Sequence, residues 1–247
     1  MNEYTNKVMR LLILILIIFT GSKCFALAED TKILINIPSR TLELIQNGNI
    51  ERVYSIGVGK PDFPTPIGNF NVITKIKNPG WENPYKPAGE SKIKAGQNNP
   101  LGTRWIGFLR NSQGEYGMHG TNIPFSIGKY SSHGCIRMKI KDAENLFSRV
   151  NIGTPVLVRN YTNKITIKKG EILVHNYPNI YKLPVNKKES IKEQLSMIKD
   201  KYNIDQSKLS RINSLYEGST GIIGELIQST TDPGFHYKFS EALVNFD

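Results

Sequence analysis

The chain is most informative at Tyr116-Gly-Met-His-Gly-Thr-Asn122 and at Tyr130-Ser-Ser-His-Gly-Cys-Ile-Arg-Met138. These two segments bring histidines, a cysteine, an arginine and glycines into one short stretch of sequence. A cysteine attacks as the thiolate, and a neighbouring imidazole can take the thiol proton and later return it to an amine. The pattern therefore predicts cysteine–histidine chemistry, with Cys135 as the candidate nucleophile and one of the two histidines, His119 or His133, as the candidate base.

The residues around this pair fit acyl chemistry and leave one competing interpretation. Gly134 would let a substrate carbonyl approach the main chain, where its N–H and that of Cys135 could hold a developing oxyanion. A zinc site built from His119, His133 and Cys135 is the alternative. No further cysteine or acidic residue stands nearby at a ligand spacing, so we expect no metal and no other cofactor.

Residues 31–159 predict a mainly β domain with one short helix. Apolar alternation indicates strands at 32–37, 42–45, 53–58, 70–76, 105–109 and 154–159, and Asn47-Gly48 is a strong hairpin signal. Residues 142–150 have the helical period, with Asp142 as the expected N-cap. Residues 78–100, rich in proline and glycine, predict a long surface loop.

Residues 160–247 predict a separate, small α+β domain of unknown role. Two short strands are expected around Lys169-Gly170, within 164–174. Helical periodicity then runs over 187–202 and again over 207–216. His175 and His236 are interpreted as structural histidines.

The first 28 residues resemble a secretory signal peptide. A basic start with Lys7 and Arg10 precedes nine consecutive apolar residues, and Ala26-Leu-Ala28 follows at a cleavage spacing. The apolar run is about half of what a bilayer-spanning helix needs, although an uncleaved anchor is the alternative. Cleavage after Ala28 predicts an exported protein, in the periplasm or cell wall, with Cys135 as its one cysteine and no stable membrane span.

Composition excludes several classes of protein. Of the 247 residues, 39% are hydrophobic and 21% charged, which is not typical of a collagen, a disordered acidic chain or a polytopic membrane protein. The net charge of +11 falls to +9 on cleavage, because three basic residues and one acidic residue are lost. This charge suits adsorption to an anionic surface or simple solubility. Export and the absence of long basic runs argue against nucleic acid as a partner.

The signature resembles that of the L,D-transpeptidase catalytic domain family, the YkuD type. His119-Gly-Thr121 and Ser132-His-Gly-Cys-Ile-Arg-Met138 carry the resemblance. Further segments match in the order of the family: Phe63-Pro-Thr-Pro-Ile-Gly-Asn-Phe70, Asn99-Pro-Leu-Gly102, Trp105-Ile-Gly107, Asp142-Ala143 and Gly153-Thr-Pro-Val156. The resemblance covers residues 31–159 and implies a mainly β catalytic domain, a β-sandwich or barrel.

The resemblance implies a role for each residue of the signature. Cys135 would be the nucleophile and His119 the base and acid, with the Gly120 carbonyl holding its ring. The oxyanion hole would come from Gly134 and Cys135. The residues that support the site would be Ser132 and His133.

Three further side chains are candidates for substrate binding. Arg137 is placed to face a substrate carboxylate, and a structural ion pair with Asp142 or Glu144 is the alternative. Trp81 and Tyr85 lie in the long loop, which is expected either to cover the substrate groove or to be a plain surface loop.

The implied reaction is a transfer between peptidoglycan stem peptides. Cys135 would attack the bond between the third residue and the terminal D-alanine, and the amine of another stem would take the acyl group to give a 3→3 cross-link. The alternatives are an L,D-carboxypeptidase, attachment of a protein or a D-amino acid to the wall through the same acyl-enzyme, and a wall-binding module without activity. A partner protein in the cell wall is conceivable in the attachment alternative and is not identified by the sequence.

Overall fold

The computed structural model describes residues 30–83, 86–87, 89–96, 98–197, 202–214 and 216–226. The predicted signal peptide, Tyr85 and His236 lie outside these residues, so their assignments stay predictions. Among the described residues, no helix combines the length and the apolar character required to cross a bilayer.

Strands dominate the described residues. They are β1 (Thr31–Asn36), β2 (Thr41–Gln46), β3 (Asn49–Ser55), β4 (Val58–Gly59), β5 (Gly68–Asn71), β6 (Thr74–Lys77), β7 (Trp81–Glu82), β8 (Lys92–Ile93), β9 (Arg104–Asn111), β10 (Gly114–Gly120), β11 (Tyr130–Ser132), β12 (Ile136–Met138), β13 (Pro155–Arg159), β14 (Asn163–Lys168), β15 (Glu171–Asn176), β16 (Tyr202–Ile204) and β17 (Thr220–Leu226). The helices are α1 (Ile140–Arg149), α2 (Lys187–Ser196) and α3 (Gln206–Ser210), with 3-10 turns at Pro124–Ser126 and Arg211–Ser214.

Two sheets enclose the core of the first unit. One has the order β3-β2-β1-β13-β5 and the other β12-β10-β9-β6. The first and last strands of the unit, β1 and β13, lie parallel and adjacent. Apolar side chains from both sheets form a single core, because each strand turns alternate residues inward. The largest of them include Ile33, Ile35, Leu42, Ile106, Met118, Ile136 and Met138. The predicted mainly β fold is confirmed.

The single helix of this unit is present, but its predicted start is wrong. α1 begins at Ile140 after Lys139, whose side chain makes no capping hydrogen bond. Asp142 lies in the first turn instead, where its charge favours the positive end of the helix dipole. Ala143 and Leu146 are buried in the core, as the helical period indicated.

Two predicted strands are each divided in the structure. The 53–58 stretch is divided because β3 ends at Ser55 and Gly57 forms an isolated bridge with Arg137 before β4 begins. The 70–76 stretch contributes β5 to one sheet and β6 to the other. Apolar alternation runs through both breaks, so the pattern alone does not show where a strand changes sheet.

The second unit is an α+β unit with its own core. Its sheet has the order β14-β15-β17-β16, and α2 packs Ile191 and Leu195 against it. The helix predicted over 187–202 ends at Ser196, and Tyr202 lies in β16. The helix predicted over 207–216 is the short α3 followed by a 3-10 turn. β17 was not predicted.

A buried ion pair joins the two units. Lys164 Nζ on β14 lies 2.9 Å from Glu43 Oε1 on β2, and both side chains are less than a tenth exposed. Beside it the Asn36 side chain accepts a hydrogen bond from the Tyr161 N–H at 2.8 Å and donates to the Tyr161 carbonyl at 3.1 Å. These contacts hold the second unit against the five-stranded sheet.

Breaking this ion pair is expected to destabilise the protein. Glu43→Gln leaves the Lys164 ammonium buried without its counter-charge, which costs about 3 kcal/mol in the free energy of unfolding. Adding Lys164→Met should restore most of the loss, because the remaining site is then uncharged. Denaturant unfolding checks both, with Lys208→Met, in an exposed pair with Asp205, as a control expected to cost under about 1 kcal/mol. Equal stability of Glu43→Gln and the wild type would contradict this account.

Candidate active site

Strand pairing places the two chemical segments side by side. β10 and β12 are parallel, with Met118 opposite Ile136 and His119 opposite Arg137. Met118 and Ile136 point into the core. Because side chains alternate along a strand, His119 and Arg137 lie together on the other face of the sheet. Cys135 immediately precedes β12 and keeps part of its surface exposed.

His119 is buried and its ring orientation is fixed. Nδ1 lies 2.6 Å from the Gly120 carbonyl oxygen. Because that oxygen can only accept a hydrogen bond, Nδ1 carries the proton and Nε2 is the nitrogen able to take one. The Trp105 indole stacks on the imidazole with ring centroids 5.7 Å apart. The contact with Gly120 that the resemblance implied is therefore present.

The folded environment shifts the pKa values of both His119 and Cys135. Burial, which Arg137 reinforces and the Gly120 carbonyl partly opposes, lowers the pKa of His119 to about 4. Burial also raises the pKa of the Cys135 thiol, although the Gly117 backbone and Arg137 act in the opposite direction. At neutral pH both groups are therefore uncharged in the free protein. The imidazole must take the thiol proton as the sulfur attacks, rather than beforehand.

The Ser132 hydroxyl fixes the turn that carries the cysteine. Its Oγ accepts a hydrogen bond from the Gly134 N–H at 3.1 Å and donates to the Cys135 carbonyl at 2.6 Å. The Gly134 N–H is thus already engaged. The assignment of this N–H to an oxyanion hole stays a prediction. It requires the N–H to give up its hydrogen bond to Ser132 Oγ and to donate to a substrate oxygen instead.

Both the backbone conformation at Gly134 and the close packing around it require glycine at this position. Its φ is +106°, which L side chains rarely adopt. A Cβ there would lie 2.6 Å from Tyr116 Cε1 and 3.2 Å from the Pro64 carbonyl oxygen. The main chain at Gly134, next to the nucleophile, therefore packs directly against the Tyr116 ring and the Pro64 carbonyl.

Arg137 supplies positive charge to the site. Its backbone N–H and C=O both bond to Gly57 at 2.8 Å. Within the part of the chain that the structure describes, no ion pair joins its guanidinium to an acid, and Glu144 pairs with Arg104 instead. The alternative interpretation of Arg137 as half of a structural pair with Asp142 or Glu144 is therefore wrong.

Replacing Arg137 with glutamine is expected to shift two pH profiles in the same direction. The guanidinium disfavours imidazolium and favours thiolate, so its loss should raise the pKa of both His119 and Cys135. We expect the acid limb of kcat/KM, near pH 4 in the wild type, to move to higher pH. The midpoint for alkylation of Cys135 by iodoacetamide should rise as well. Arg149→Gln, at an exposed position on α1, is the matched control, and identical profiles for Arg137→Gln and wild type would refute this assignment.

His133 lies at the rim of the site. Its ring contacts the edge of Phe63 with centroids 4.7 Å apart. Partial burial, Lys60 and Arg137 lower its pKa. Lys60 and Arg137 thus place positive charge near the nucleophile turn, which suits an anionic substrate, although the Glu115 carboxylate also acts on Cys135.

Sequence reasoning missed the support behind His119. Trp105 Nε1 lies 3.4 Å from Glu115 Oε1, and that carboxylate also accepts hydrogen bonds from Thr74 and Arg110. A Cβ at Gly117 would lie 2.7 Å from the indole ring, so glycine there makes room for it. The sequence contains Trp105 and Gly117, but only the register of β9 and β10 shows that they lie next to each other.

The loop predicted over 78–100 contains the small hairpin of β7 and β8, with Trp81 half-buried on β7. The buried Asn99 side chain donates to the carbonyls of Pro79 and Lys94, at 3.0 and 3.1 Å, and so holds both sides of the hairpin. Asn122, which follows the His119 segment, donates to the Asn98 carbonyl at 2.9 Å. The hairpin is therefore anchored beside the site, while Tyr85 lies outside the described residues.

No metal site is built among the described residues. No group of three or more histidine, cysteine or acidic side chains is arranged there to hold an ion.

Comparison with known proteins identifies the family. The profile of the L,D-transpeptidase catalytic domain, YkuD, matches residues 30–158. "Putative L,D-transpeptidase YqjB" of Bacillus subtilis is 39% identical over 158 residues, covering 59% of this chain and 86% of that protein. "Putative L,D-transpeptidase YkuD" of the same species is 38% identical over 126 residues, and the match spans 64% of its length.

A solved structure is also similar to part of this chain. An L,D-transpeptidase from Mycobacterium tuberculosis superposes with a TM-score of 0.43 and 22% identity, over 53% of this chain and 58% of the other. The family profile covers more than half of the sequence, and YqjB is similar over most of its own length. This chain belongs to the L,D-transpeptidase catalytic domain family.

Proposed function

We propose that this protein is a peptidoglycan L,D-transpeptidase that forms 3→3 cross-links through a thioester on Cys135. The observation that carries the proposal is the pairing of His119 with Arg137 on adjacent strands, with Cys135 immediately before β12 and Nδ1 of the buried His119 fixed by Gly120. This arrangement offers a nucleophile, a base of defined tautomer and a cation for a substrate carboxylate. Membership of the family supports the choice of reaction.

In the first half-reaction, Cys135 Sγ attacks the carbonyl between the third, diamino residue of a tetrapeptide stem and its terminal D-alanine. Nε2 of His119 takes the thiol proton as the C–S bond forms. It then gives the proton to the amine of D-alanine as the C–N bond breaks. The products are a thioester on Cys135 and free D-alanine, whose amino group contains the nitrogen of the broken amide and the proton from His119.

In the second half-reaction, the side-chain amine of another stem attacks the thioester. His119 accepts a proton from this amine and returns it to the departing sulfur, so the free thiol is restored. One amide is broken and one is made, so the balance needs no nucleotide, metal or organic cofactor. Transfer to an amine rather than to water depends on holding the acceptor close to the thioester.

Several surrounding features support this substrate. Lys60 and Arg137 place positive charge around a neutral His133, and stem peptides end in carboxylates. The anchored β7–β8 hairpin, with Trp81, would cover the groove in which a stem lies. The overall charge of +11 suits an anionic cell wall. We propose an extracytoplasmic location on the same grounds, together with the predicted signal peptide.

Incubation with purified disaccharide-tetrapeptides, followed by mass spectrometry, tests the proposal. We expect dimers joined through their third residues and one D-alanine per dimer. Tripeptides alone would identify a carboxypeptidase that uses the same acyl-enzyme with water as acceptor. Unchanged tetrapeptide, with protein that still sediments with isolated walls, would reduce the protein to a wall-binding module. Dimers formed equally well by protein alkylated at Cys135 would refute the mechanism.

A further inference from the structure

A tyrosine from the second unit reaches the catalytic unit close to the active site. Tyr181 is half-buried and packs against the core of the first unit. Its hydroxyl donates to the Gly59 carbonyl at 2.7 Å and accepts a hydrogen bond from the Thr65 N–H at 3.0 Å. One side-chain oxygen therefore joins the two ends of the loop formed by residues 59–65, called the 59–65 loop below.

The 59–65 loop is tightly folded between those ends. The Gly59 N–H donates to Thr65 Oγ1 at 3.0 Å, and the Phe63 N–H donates to the Lys60 carbonyl at 2.9 Å. A Cβ at Gly59 would lie only 2.3 Å from the Phe63 carbonyl oxygen. Loops this compact keep their shape when the contacts that close them are intact.

This loop touches each of the three residues that precede the nucleophile. The Lys60 N–H donates to the Ser132 carbonyl at 3.1 Å. The Phe63 ring contacts His133, and the Pro64 carbonyl packs against the glycine at position 134, where a Cβ would lie 3.2 Å from it. The 59–65 loop thus forms one wall of the turn that presents Cys135.

The segment that carries Tyr181 is itself fixed in place. The Asn179 side chain donates to the Leu183 carbonyl at 2.7 Å and accepts from its N–H at 3.2 Å, which closes a turn around Tyr181. The second unit is held on the first by the buried pair of Lys164 and Glu43. The position of the hydroxyl is therefore determined by the fold of the second unit and not by a free tail.

We propose that Tyr181 is a positioning residue for Cys135, acting through the 59–65 loop, so that the second unit completes the active site of this chain. Tyr181 lies beyond the 30–158 region that matches the family profile. This inference rests on the proposed function for its catalytic consequence, but the reactivity of the thiol tests it without a substrate. A displaced nucleophile lowers the rate because the attack geometry is demanding.

Tyr181→Phe in the full chain removes the hydroxyl and keeps the ring. We expect kcat for D-alanine release to fall about 10-fold with KM within about twofold of wild type, since the lost hydroxyl closes the loop behind the sulfur and the charged Lys60 side chain is kept. The rate of Cys135 alkylation by iodoacetamide, followed on its own peptide by mass spectrometry, should change at least about threefold across the pH profile. Tyr216→Phe, which removes an exposed hydroxyl from the same unit, is the matched control and should match wild type in both measurements.

Phe63→Leu tests the same connection from its other end. Phe63 is 43% exposed, so this variant should fold even if Tyr181→Phe does not, and it should show the same change in alkylation profile. A Tyr181→Phe protein that melts earlier but keeps wild-type kcat and alkylation rates would overturn the proposal, as would a Phe63→Leu profile identical to wild type. If wild type releases no D-alanine, the proposed function fails, whereas the alkylation comparison still decides the role of Tyr181.

Discussion

Cys135→Ala is expected to lower kcat for D-alanine release from a tetrapeptide by at least about 10⁴-fold, because without the sulfur no acyl-enzyme can form. Removal of the nucleophile from a catalytic group of this kind usually costs about as much as removal of the whole group. D-Alanine release measured with a coupled assay, alongside mass spectrometry of the stem peptides, gives both the rate and the products.

The fold should be unaffected by Cys135→Ala, because the side chain is small and only partly buried. Its denaturant midpoint and its sedimentation with isolated cell walls should therefore match those of wild type. If walls are still bound while D-alanine release is lost, the protein is an enzyme and not only a binding module. Wild-type turnover by the alanine variant would remove Cys135 from the mechanism.

His119→Gln is expected to lower kcat by about 10³-fold, because general acid–base catalysis contributes about 10² to 10⁴. Glutamine approximates the length of the side chain beneath Trp105 but cannot take the thiol proton. The residual reaction must then use the small fraction of thiolate already present. Its rate should rise with pH toward the raised pKa of Cys135, whereas the wild-type rate should be flat above the pH at which His119 loses its proton.

His175→Gln is the matched control for this variant. His175 lies on β15 in the second unit, with its two ring nitrogens 2.7 and 2.9 Å from the hydroxyls of Thr166 and Thr220. It should retain wild-type kcat and a flat pH profile. A His119→Gln rate within about tenfold of wild type, or a profile that stays flat, would show that another group removes the proton.

The pKa of His119 also has a consequence for stability. The imidazole is held neutral with a pKa of about 4 in the folded state, against about 6.5 in an unfolded chain. As the pH falls below about 6.5, His119 is protonated in the unfolded state but not in the folded state. The free energy of unfolding therefore decreases progressively between about pH 6.5 and about pH 4. The same burial that makes His119 a neutral base thus costs stability in acid.

The chemical residues were predictable because their chemistry is local in sequence. His119 with Gly120, and Ser132 with Cys135, interact within a few residues of each other, so a short motif contains the whole contact. The apolar periods of β1, β2 and α1 were visible for the same reason, since each element buries one face.

The supporting contacts were not predictable, because they join distant parts of the chain. Trp105 meets His119 only through the register of β9 and β10, and Tyr181 meets Gly59 across 122 residues. The pKa values of His119 and Cys135 depend on burial, which a motif does not encode. The motif therefore indicated that an imidazole takes the thiol proton, but not that both groups are neutral before the attack.

The most direct measurement is the intact mass of the protein during turnover of a tetrapeptide donor whose side-chain amine is blocked by acetylation, so that no acceptor amine is present. The account predicts an adduct with the mass of the donor less D-alanine, located on the peptide that contains Cys135 and released on adding an amine. D-Alanine release at the full rate, with the sulfur unmodified at every time point, would contradict it.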